Sequence, residues 1–216
     1  MIMYRVIAAL TAMIGLSACS ASDGVSTSSR SATLTGVVCP PSGTLVTRDD
    51  GTHLRYGGTD SRDPAVCLVG TPSGTTARAL GGLVATHPTN ESVRRQALAS
   101  LFPLEPGRSS YAQYGLVTPL NPSANSTPFE ESFRVVGEKS YQMHNQTRPA
   151  WVVETRLNSI MDPATRFVTI YEIDKQTGVV LSQTTTSPTG AIPSPALRSY
   201  RVTDIEVPSS RVASGS

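Results

Sequence analysis

Residues 151–157 read WVVETRL, and this stretch decides the fold because a two-residue period places most of its apolar side chains on one face and both charged side chains on the other. In an extended chain, Trp151, Val153 and Leu157 share one face, and the charged side chains between them share the other. A two-residue period of this kind predicts a β-strand that buries one face and exposes the other.

The chain after this strand repeats the same pattern. The predicted segments are, in order, a turn at 162–165, a strand at 166–173, a five-residue turn at 174–178, a strand at 179–186, a Pro-rich loop at 188–195 and a strand at 200–207. Gly178 suits the end of its turn because glycine tolerates positive φ. Sequential strands joined by short turns predict a curved antiparallel meander.

The first half of the domain also predicts strands. Residues 43–48 and 53–56 flank Asp50-Gly51, a strong hairpin signal. Residues 57–64 are rich in Gly and Asp and are interpreted as a loop that leads to Cys67, and residues 77–86 as a further strand.

One helix is predicted before Pro103. Thr89 or Asn90 can cap its first turn, and Glu91 suits the positive end of the helix dipole. Its apolar face is predicted to contain Val93, Ala97, Leu98, Leu101 and Phe102. Arg94 and Arg95 are expected on the solvated side. The predicted fold class is therefore mainly β (α+β), a curved antiparallel meander with one packed amphipathic helix.

The N-terminus predicts export. Arg5 precedes an uncharged apolar run at 6–16 that is too short to span a bilayer and typical of a cleaved signal. Leu16-Ser17-Ala18-Cys19 resembles the lipobox of bacterial lipoprotein precursors. The resemblance implies a signal peptide at 1–18, which is removed, and a diacylglyceryl group and an acyl chain on Cys19.

That lipid would anchor the chain in the cell envelope, facing the periplasm or the cell surface. Ser20 is not the Asp that retains such proteins at the inner membrane of enteric bacteria, which favours the outer membrane. The alternative is an ordinary signal peptide with an incidental Cys near its cleavage site.

Composition divides the mature chain. Residues 19–35 form a Ser/Thr-rich tether with few apolar side chains, too few to bury a core. Residues 36–207 are predicted as a single β-rich domain, with a disulfide-stapled hairpin part and the helix at 36–101 and the meander at 102–207. Residues 208–216 are predicted as a flexible tail.

The sequence has three cysteines, and two remain free to pair if Cys19 carries the lipid. Cys39 and Cys67 are then expected to form a disulfide, as is usual in an oxidising compartment. The alternative, two free thiols that bind a metal, lacks the Cys-x-x-Cys spacing of such sites.

A second resemblance covers about half of the mature chain. The stretches at 102–108 (FPLEPGR), 135–138 (VVGE) and 170–179 (IYEIDKQTGV) resemble a recurrent arrangement in secreted and lipid-anchored proteobacterial proteins of unknown function. This chain departs from it at Glu172, where the pattern usually has an aromatic residue. The meander also resembles the open half-barrel of periplasmic lipoprotein-carrier and anti-sigma-regulator families, which implies a concave face that holds acyl chains under a helical lid.

Catalytic signals are weak. The sequence contains no Gly-x-Ser-x-Gly, Walker loop or His-Glu-x-x-His motif, and a formal net charge of +2 argues against a nucleic-acid partner. Glu130 and Glu131 are neighbours on a strand and so face opposite sides, which favours a solvated edge over an acid–base pair.

Four acidic turn residues are candidates for a calcium site. Asp49, Asp50, Asp60 and Asp63 could supply hard oxygen ligands, but Asp caps turns without a metal, so no metal and no cofactor are predicted. His87 and His144 are interpreted as surface or turn residues.

The predicted function is a membrane-anchored envelope lipoprotein whose non-catalytic domain binds a partner, a lipid or a cell-wall component. The alternative is an envelope hydrolase with a site assembled from loop residues, for which His53, Asp60 and Asp63 are the best candidates.

Overall fold

The computed structural model of the chain describes residues 33–70, 74–86, 88–116, 127–144, 146–162, 164–190 and 197–208. Cys19, the predicted signal peptide and most of the predicted tether lie outside these residues, as do His87 and residues 209–216. The boundaries assigned to those segments stay predictions.

Within the described residues, the chain forms eleven β-strands and one α-helix, α1 (Glu91–Leu101). The strands are β1 (Leu45–Arg48), β2 (His53–Asp60), β3 (Asp63–Gly70), β4 (Thr76–Leu80), β5 (Val84–Ala85), β6 (Ser109–Leu116), β7 (Thr127–Met143), β8 (Gln146–Ser159), β9 (Arg166–Asp174), β10 (Val180–Thr186) and β11 (Tyr200–Glu206). The prediction of a mainly β fold with one helix is confirmed.

The strands form one open antiparallel sheet in the order β5-β4-β3-β2-β1-β11-β10-β9-β8-β7-β6. Two meanders, β1–β5 and β6–β11, run outward from a central pair in which Leu45 lies opposite Glu206. The first and last strands therefore lie side by side at the middle of the sheet, and β5 and β6 form its two ends.

The interpretation of residues 57–64 as a loop is wrong. Strand β2 continues to Asp60 and β3 begins at Asp63, so these residues form a second hairpin. Asp60 closes the turn by accepting a hydrogen bond from the Arg62 N–H at 2.8 Å. A single Asp side chain is enough to stabilise such a turn. The two strands can therefore be joined by a tight hairpin, although the high Gly content suggests a longer loop. Residues 77–86 likewise divide into β4, a turn and β5.

Two apolar clusters hold the sheet together. The larger packs α1 against both meanders and includes Val66, Leu98 and Phe133. The smaller lies where the far end of the long β7–β8 hairpin meets β1, β2 and β11, and includes Tyr141. The Tyr141 hydroxyl donates a 2.9 Å hydrogen bond to the Val202 carbonyl of β11, so the sheet curls back on itself at this end.

Helix α1 packs as predicted along part of its apolar face. Ala97, Leu98 and Leu101 are buried, whereas Val93 is 39% exposed. Asn90 takes the N-cap position, but its side chain makes no capping hydrogen bond. The assignment of the arginines to the solvated side is wrong, because Arg95 is buried and Arg94 is largely covered.

The predicted disulfide is present between Cys39 and Cys67. Cys67 is fully buried in β3, and Cys39 belongs to the segment that precedes β1. The bond therefore joins the first described residues to the interior of the sheet.

Candidate functional site

A small apolar pocket of about 180 Å³ opens where three distant parts of the chain meet. One wall is the segment after α1, Phe102 to Leu104, with a cis peptide bond before Pro103. The second wall is formed by Trp151 on β8 and Ile173 on β9. The third is the stretch before β1, which contributes Val38. We refer to this cavity as the Trp151 pocket.

Glycines allow these walls to approach so closely. Gly178 has φ +72°, and a Cβ atom on it would lie 1.9 Å from the Val38 carbonyl oxygen. Gly36 has φ +76°, and a Cβ there would lie 2.7 Å from the Pro103 Cβ. Any larger residue at either position would force the wall apart.

The rim of the pocket contains the only cation among its lining residues. The Lys175 Nζ lies 4.0 Å from the centroid of the Trp151 ring, within the range of a cation–π contact. The same Nζ lies 2.8 Å from a Glu138 carboxylate oxygen. The aromatic ring, the ammonium and the carboxylate thus form one partly exposed border beside an apolar floor.

Asp174 supports this rim from below. Its carboxylate is fully buried and accepts hydrogen bonds from Arg148 Nη1 at 2.7 Å, the Gln176 N–H at 2.9 Å and the Thr177 hydroxyl at 3.0 Å. These bonds fix the turn that positions Lys175 and Gly178. The Asp174 oxygens are therefore occupied by the protein, which leaves mainly carbon surface for a ligand.

The chemistry of the pocket follows from its size and lining. A volume of about 180 Å³ equals the share of about six water molecules, well below the roughly 300–1,000 Å³ of a pocket for a drug-sized ligand. The pocket can thus enclose a short alkyl segment or one ring of a larger molecule. Burial in contact with Phe102, Leu104 and Ile173 would supply the affinity.

A buried charge cluster joins helix α1 to strands β6 and β7. Glu131 is buried on β7, where it accepts two hydrogen bonds from Arg94 and one, at 2.8 Å, from the Tyr114 hydroxyl. Burial raises the pKa of Tyr114, and the Glu131 charge adds to that effect. The expected solvated edge at Glu130 and Glu131 is therefore wrong for Glu131, whose partners come from α1 and β6.

The candidate hydrolase residues do not form one site. His53 and Asp60 stand at opposite ends of β2, about 20 Å apart at the usual strand rise. The His53 Nδ1 lies 3.1 Å from the Thr47 hydroxyl, Asp60 pairs with Arg78, and Asp63 pairs with Arg95. His144 lies in the turn between β7 and β8, with its Nδ1 3.3 Å from the Thr203 carbonyl.

Three of the four acidic turn residues cap their own turns, whereas Asp49 accepts a 3.0 Å hydrogen bond from the Arg201 N–H of β11. Asp50, Asp60 and Asp63 each accept a hydrogen bond from the backbone N–H two residues further on. Among the described residues, no group of three or more His, Cys, Asp or Glu is arranged to hold a metal ion. No helix in that part of the chain is long and apolar enough to cross a membrane.

A second, polar cavity of about 480 Å³ lies at the start of α1. Arg95 lines it and is paired there with Asp63 and with Glu91, the latter at 2.8 Å. The hydrogen bond from Arg95 holds the pKa of Asp63 below its ordinary value of 3.8. Arg62 also lines the cavity, so its two cations and two anions balance.

Comparison with known proteins adds little to the interpretation of the site. No protein-family model and no curated protein matches the chain. Among solved structures, the chain is similar to the hypothetical lipoprotein YmcC of Escherichia coli K12, at 12% sequence identity and a TM-score of 0.42, over 68% of this chain and 79% of that one. At this TM-score the similarity is weak, so the interpretation of the site rests on this chain's own geometry.

The Trp151 pocket is not predicted by the sequence, although most of its walls lie in distinctive stretches. The stretches at 102–108 and 170–179 carry a resemblance to other proteins, and residues 151–157 carry a two-residue period. Trp151, the only tryptophan in the sequence, is the one signal that could have suggested a binding site formed by these stretches. Their meeting depends on the strand order and on the path of the segment before β1, neither of which is a local property.

Proposed function

We propose that this chain is a lipid-anchored bacterial envelope protein whose β-rich domain binds an apolar group, such as a segment of an alkyl chain, in the Trp151 pocket. The observation that carries the binding part is the pocket itself, which is small, lined mostly by carbon and bordered by one tryptophan and one lysine. The anchoring part rests on Leu16-Ser17-Ala18-Cys19.

The anchor follows from the chemistry of a lipidated cysteine. Each buried methylene contributes about 0.8 kcal/mol to membrane binding, so several acyl chains on Cys19 would hold the chain where one chain would not. Ser20 after the cysteine favours the outer membrane.

The anchor and the pocket are close along the chain. Gly36 and Val38 line the pocket, and the proposed tether at 19–35 directly precedes them. Leu34, near the end of that segment, is buried in the larger apolar cluster, so only the part before it can act as a tether. A flexible chain of about 15 residues has a root-mean-square reach of about 20 Å. The pocket would therefore stay near the membrane surface, where alkyl chains are the most abundant apolar ligands.

The border of the pocket suits an amphiphile. An alkyl segment would pack on Phe102, Leu104 and the Trp151 ring, while an anionic head would lie near the Lys175 ammonium. The Glu138 partner of that ammonium would then be displaced or shared. Full burial of six methylenes would supply about 5 kcal/mol before the cost of association.

The anchor is tested with Cys19→Ala in the full chain, expressed in a Gram-negative host. We expect the variant to leave the detergent phase in a phase-partition assay, or to accumulate as an uncut precursor. Ser20→Ala is the matched control and should partition like the wild type. A Cys19→Ala protein that has lost its signal peptide and still enters the detergent phase would contradict lipid anchoring.

The pocket is tested by the fluorescence of Trp151, which has no other tryptophan to obscure it. Titration of Cys19→Ala protein with octanoate, and separately with octylamine, should shift the emission to shorter wavelength, with tighter apparent binding for octanoate. Leu104→Glu should abolish the shift because it places a charge in the pocket wall. Met161→Glu, at a position 75% exposed, is the matched control and should keep it.

Equal titrations of Leu104→Glu and the wild type would refute the pocket as the binding site. Mass spectrometry of whatever co-purifies with the Cys19→Ala protein provides a separate check. An acyl compound would support the proposal. A cell-wall fragment or a protein partner would contradict it and would favour one of the other ligand classes expected from the sequence.

A further inference from the structure

Strand β6 forms one end of the open sheet and presents a long unpaired edge. It pairs with β7 over eight residues, from Ser109 opposite Arg134 to Leu116 opposite Thr127, in a register without a bulge. Among the described residues, no strand pairs with its other side. The opposite end of the sheet is β5, which has only two residues.

The β6 edge lacks the features that usually prevent edge-to-edge association. Its sequence is SSYAQYGL, without a charged residue and without proline. Natural edges are commonly blunted by lysine, proline, a bulge or a very short strand. Strand β5 is very short, whereas β6 is eight residues long and has no lysine, proline or bulge.

The register shows which backbone groups face outward. The Val135 N–H donates to the Arg108 carbonyl at 2.8 Å, just before β6 begins. Hydrogen-bonded pairs alternate along an antiparallel ladder, so the residues at 110, 112, 114 and 116 bond to β7. Ser109, Tyr111, Gln113 and Gly115 therefore direct their N–H and C=O groups away from it.

This outward row is complementary to itself. Two copies of β6 placed antiparallel about a two-fold axis at Ala112 bring Tyr111 opposite Gln113 of the second copy, and Ser109 opposite Gly115. The four resulting pairs are all hydrogen-bonding pairs, and each can form two bonds. Ala112 then meets its own copy at the non-hydrogen-bonded position, where side chains come closest and a small residue fits best.

The side chains agree with this arrangement. Tyr111 and Gln113 are exposed on one face of β6, whereas Ala112 and Tyr114 are buried on the face that α1 covers. Pairing of two β6 strands across the two-fold axis would continue both faces of the sheet into the second copy. The exposed polar side chains of one copy would then lie next to those of the other. No like charges would oppose each other along the paired segment.

We propose that the β6 edge is an interaction surface for a second copy of this chain, which adds its own β6 to form one continuous sheet across a two-fold axis. The pairing does not depend on the Trp151 pocket. If the chains are anchored as proposed, two copies in one membrane would meet at a raised effective concentration.

The test compares two substitutions in the full-length Cys19→Ala protein, by sedimentation equilibrium over a range of concentrations. Gln113→Pro removes an outward N–H that β7 does not use, and proline is tolerated on edge strands. Gln113→Ala removes the same side chain but keeps that N–H. We expect Gln113→Ala to self-associate like the parent protein and Gln113→Pro to remain monomeric, with both variants folded by circular dichroism.

Cross-linking tests the register. A Tyr111→Cys protein mixed with a Gln113→Cys protein should form a disulfide-linked heterodimer on mild oxidation, in higher yield than either protein alone. A parent protein that stays monomeric throughout, a Gln113→Pro protein that associates like Gln113→Ala, or equal yields of the three cross-linked species would each overturn the proposal. Because these proteins lack the lipid and the assays do not use the pocket, failure here leaves the proposed function standing.

Discussion

Arg94 on α1 and Glu131 on β7 form a two-bonded ion pair, with Nε to Oε2 and Nη2 to Oε1 distances of 2.7 Å each. The side chains are 16% and 6% exposed, so the pair joins helix and sheet within the protein interior. The Tyr114 hydroxyl completes the carboxylate's hydrogen bonding from β6. This cluster fixes how α1 lies on the sheet, and its geometry leads to the first prediction.

Removal of one partner of this pair should be costly. Glu131→Ala is expected to lower the free energy of unfolding by about 3–5 kcal/mol, because it leaves the Arg94 guanidinium buried without its counter-charge. Urea unfolding monitored by circular dichroism measures the change. Glu154→Ala is the matched control, since its partner Arg156 is 57% exposed and such pairs are worth about 1 kcal/mol or less. Similar losses in the two variants would contradict a buried, structural role for Glu131.

Replacement of the whole cluster should be tolerated better than removal of one part of it. Arg94→Met combined with Glu131→Leu and Tyr114→Phe is expected to recover most of the stability lost in Glu131→Ala, because no buried charge remains unpaired. The same urea titration decides the point. A triple variant no more stable than Glu131→Ala would show that the loss arises from packing rather than from the charge.

The Asp63–Arg95 pair should make stability depend on pH at the acidic end. The Arg95 hydrogen bond lowers the pKa of Asp63 below 3.8 in the folded chain, so the unfolded chain binds the proton more readily. The stabilisation is therefore present above about pH 4 and is lost as the pH falls through the folded-state pKa. The difference in unfolding free energy between wild type and Asp63→Asn should stay constant from pH 7 to pH 5 and shrink from pH 4 to pH 3. In an Arg95→Met background that pH dependence should largely disappear, and its persistence there would assign it to another group.

Gly178 should be far less replaceable than glycines in open turns. Gly107→Ala, at φ +86° with nothing within 4 Å of the new Cβ, should cost only the strain of left-handed backbone, about 1–2 kcal/mol. Gly178→Ala carries the same strain and also places its Cβ against the Val38 carbonyl, so we expect a loss of about 3 kcal/mol or more. Unfolding in urea compares the two, and Trp151 emission should change only in Gly178→Ala. Equal costs would mean that the segment before β1 moves aside freely.

Loss of the disulfide should weaken the same region. Cys39 and Cys67 are 28 residues apart in sequence, so in the chain-entropy model the bond contributes about 3.5 kcal/mol. The double variant Cys39→Ala/Cys67→Ala should lose about that amount, and reduction of the wild type under denaturing conditions should prevent refolding to the same stability. A double variant as stable as the wild type would show that packing alone holds the segment before β1 in place.

The strands were predictable where neighbouring residues decide them. Residues 151–157 place both charged side chains on one face, and β9 and β10 follow in the predicted order. Errors arose where a partner from a distant strand decides the outcome. Periodicity places Arg94 and Arg95 on a polar face, and only the approach of Glu131 and Asp63 from other strands makes their burial favourable.

Dependence on distant strands also explains why the disulfide was predictable and the other two sites were not. The disulfide was predictable because cysteine counting needs no geometry. The Trp151 pocket requires that β8, the turn at Gly178 and the segment at Val38 meet, and the β6 edge is visible only once the strand order is known.

The strand order also implies an order of assembly during folding. Each meander consists of neighbours in sequence, so its hairpins can form as soon as they emerge. The pairing of Leu45 with Glu206 closes almost the entire domain into one loop and must wait for β11. We therefore expect β1 to remain unpaired on one side until β11 is available, which makes its free edge the part of the chain most open to incorrect strand pairing.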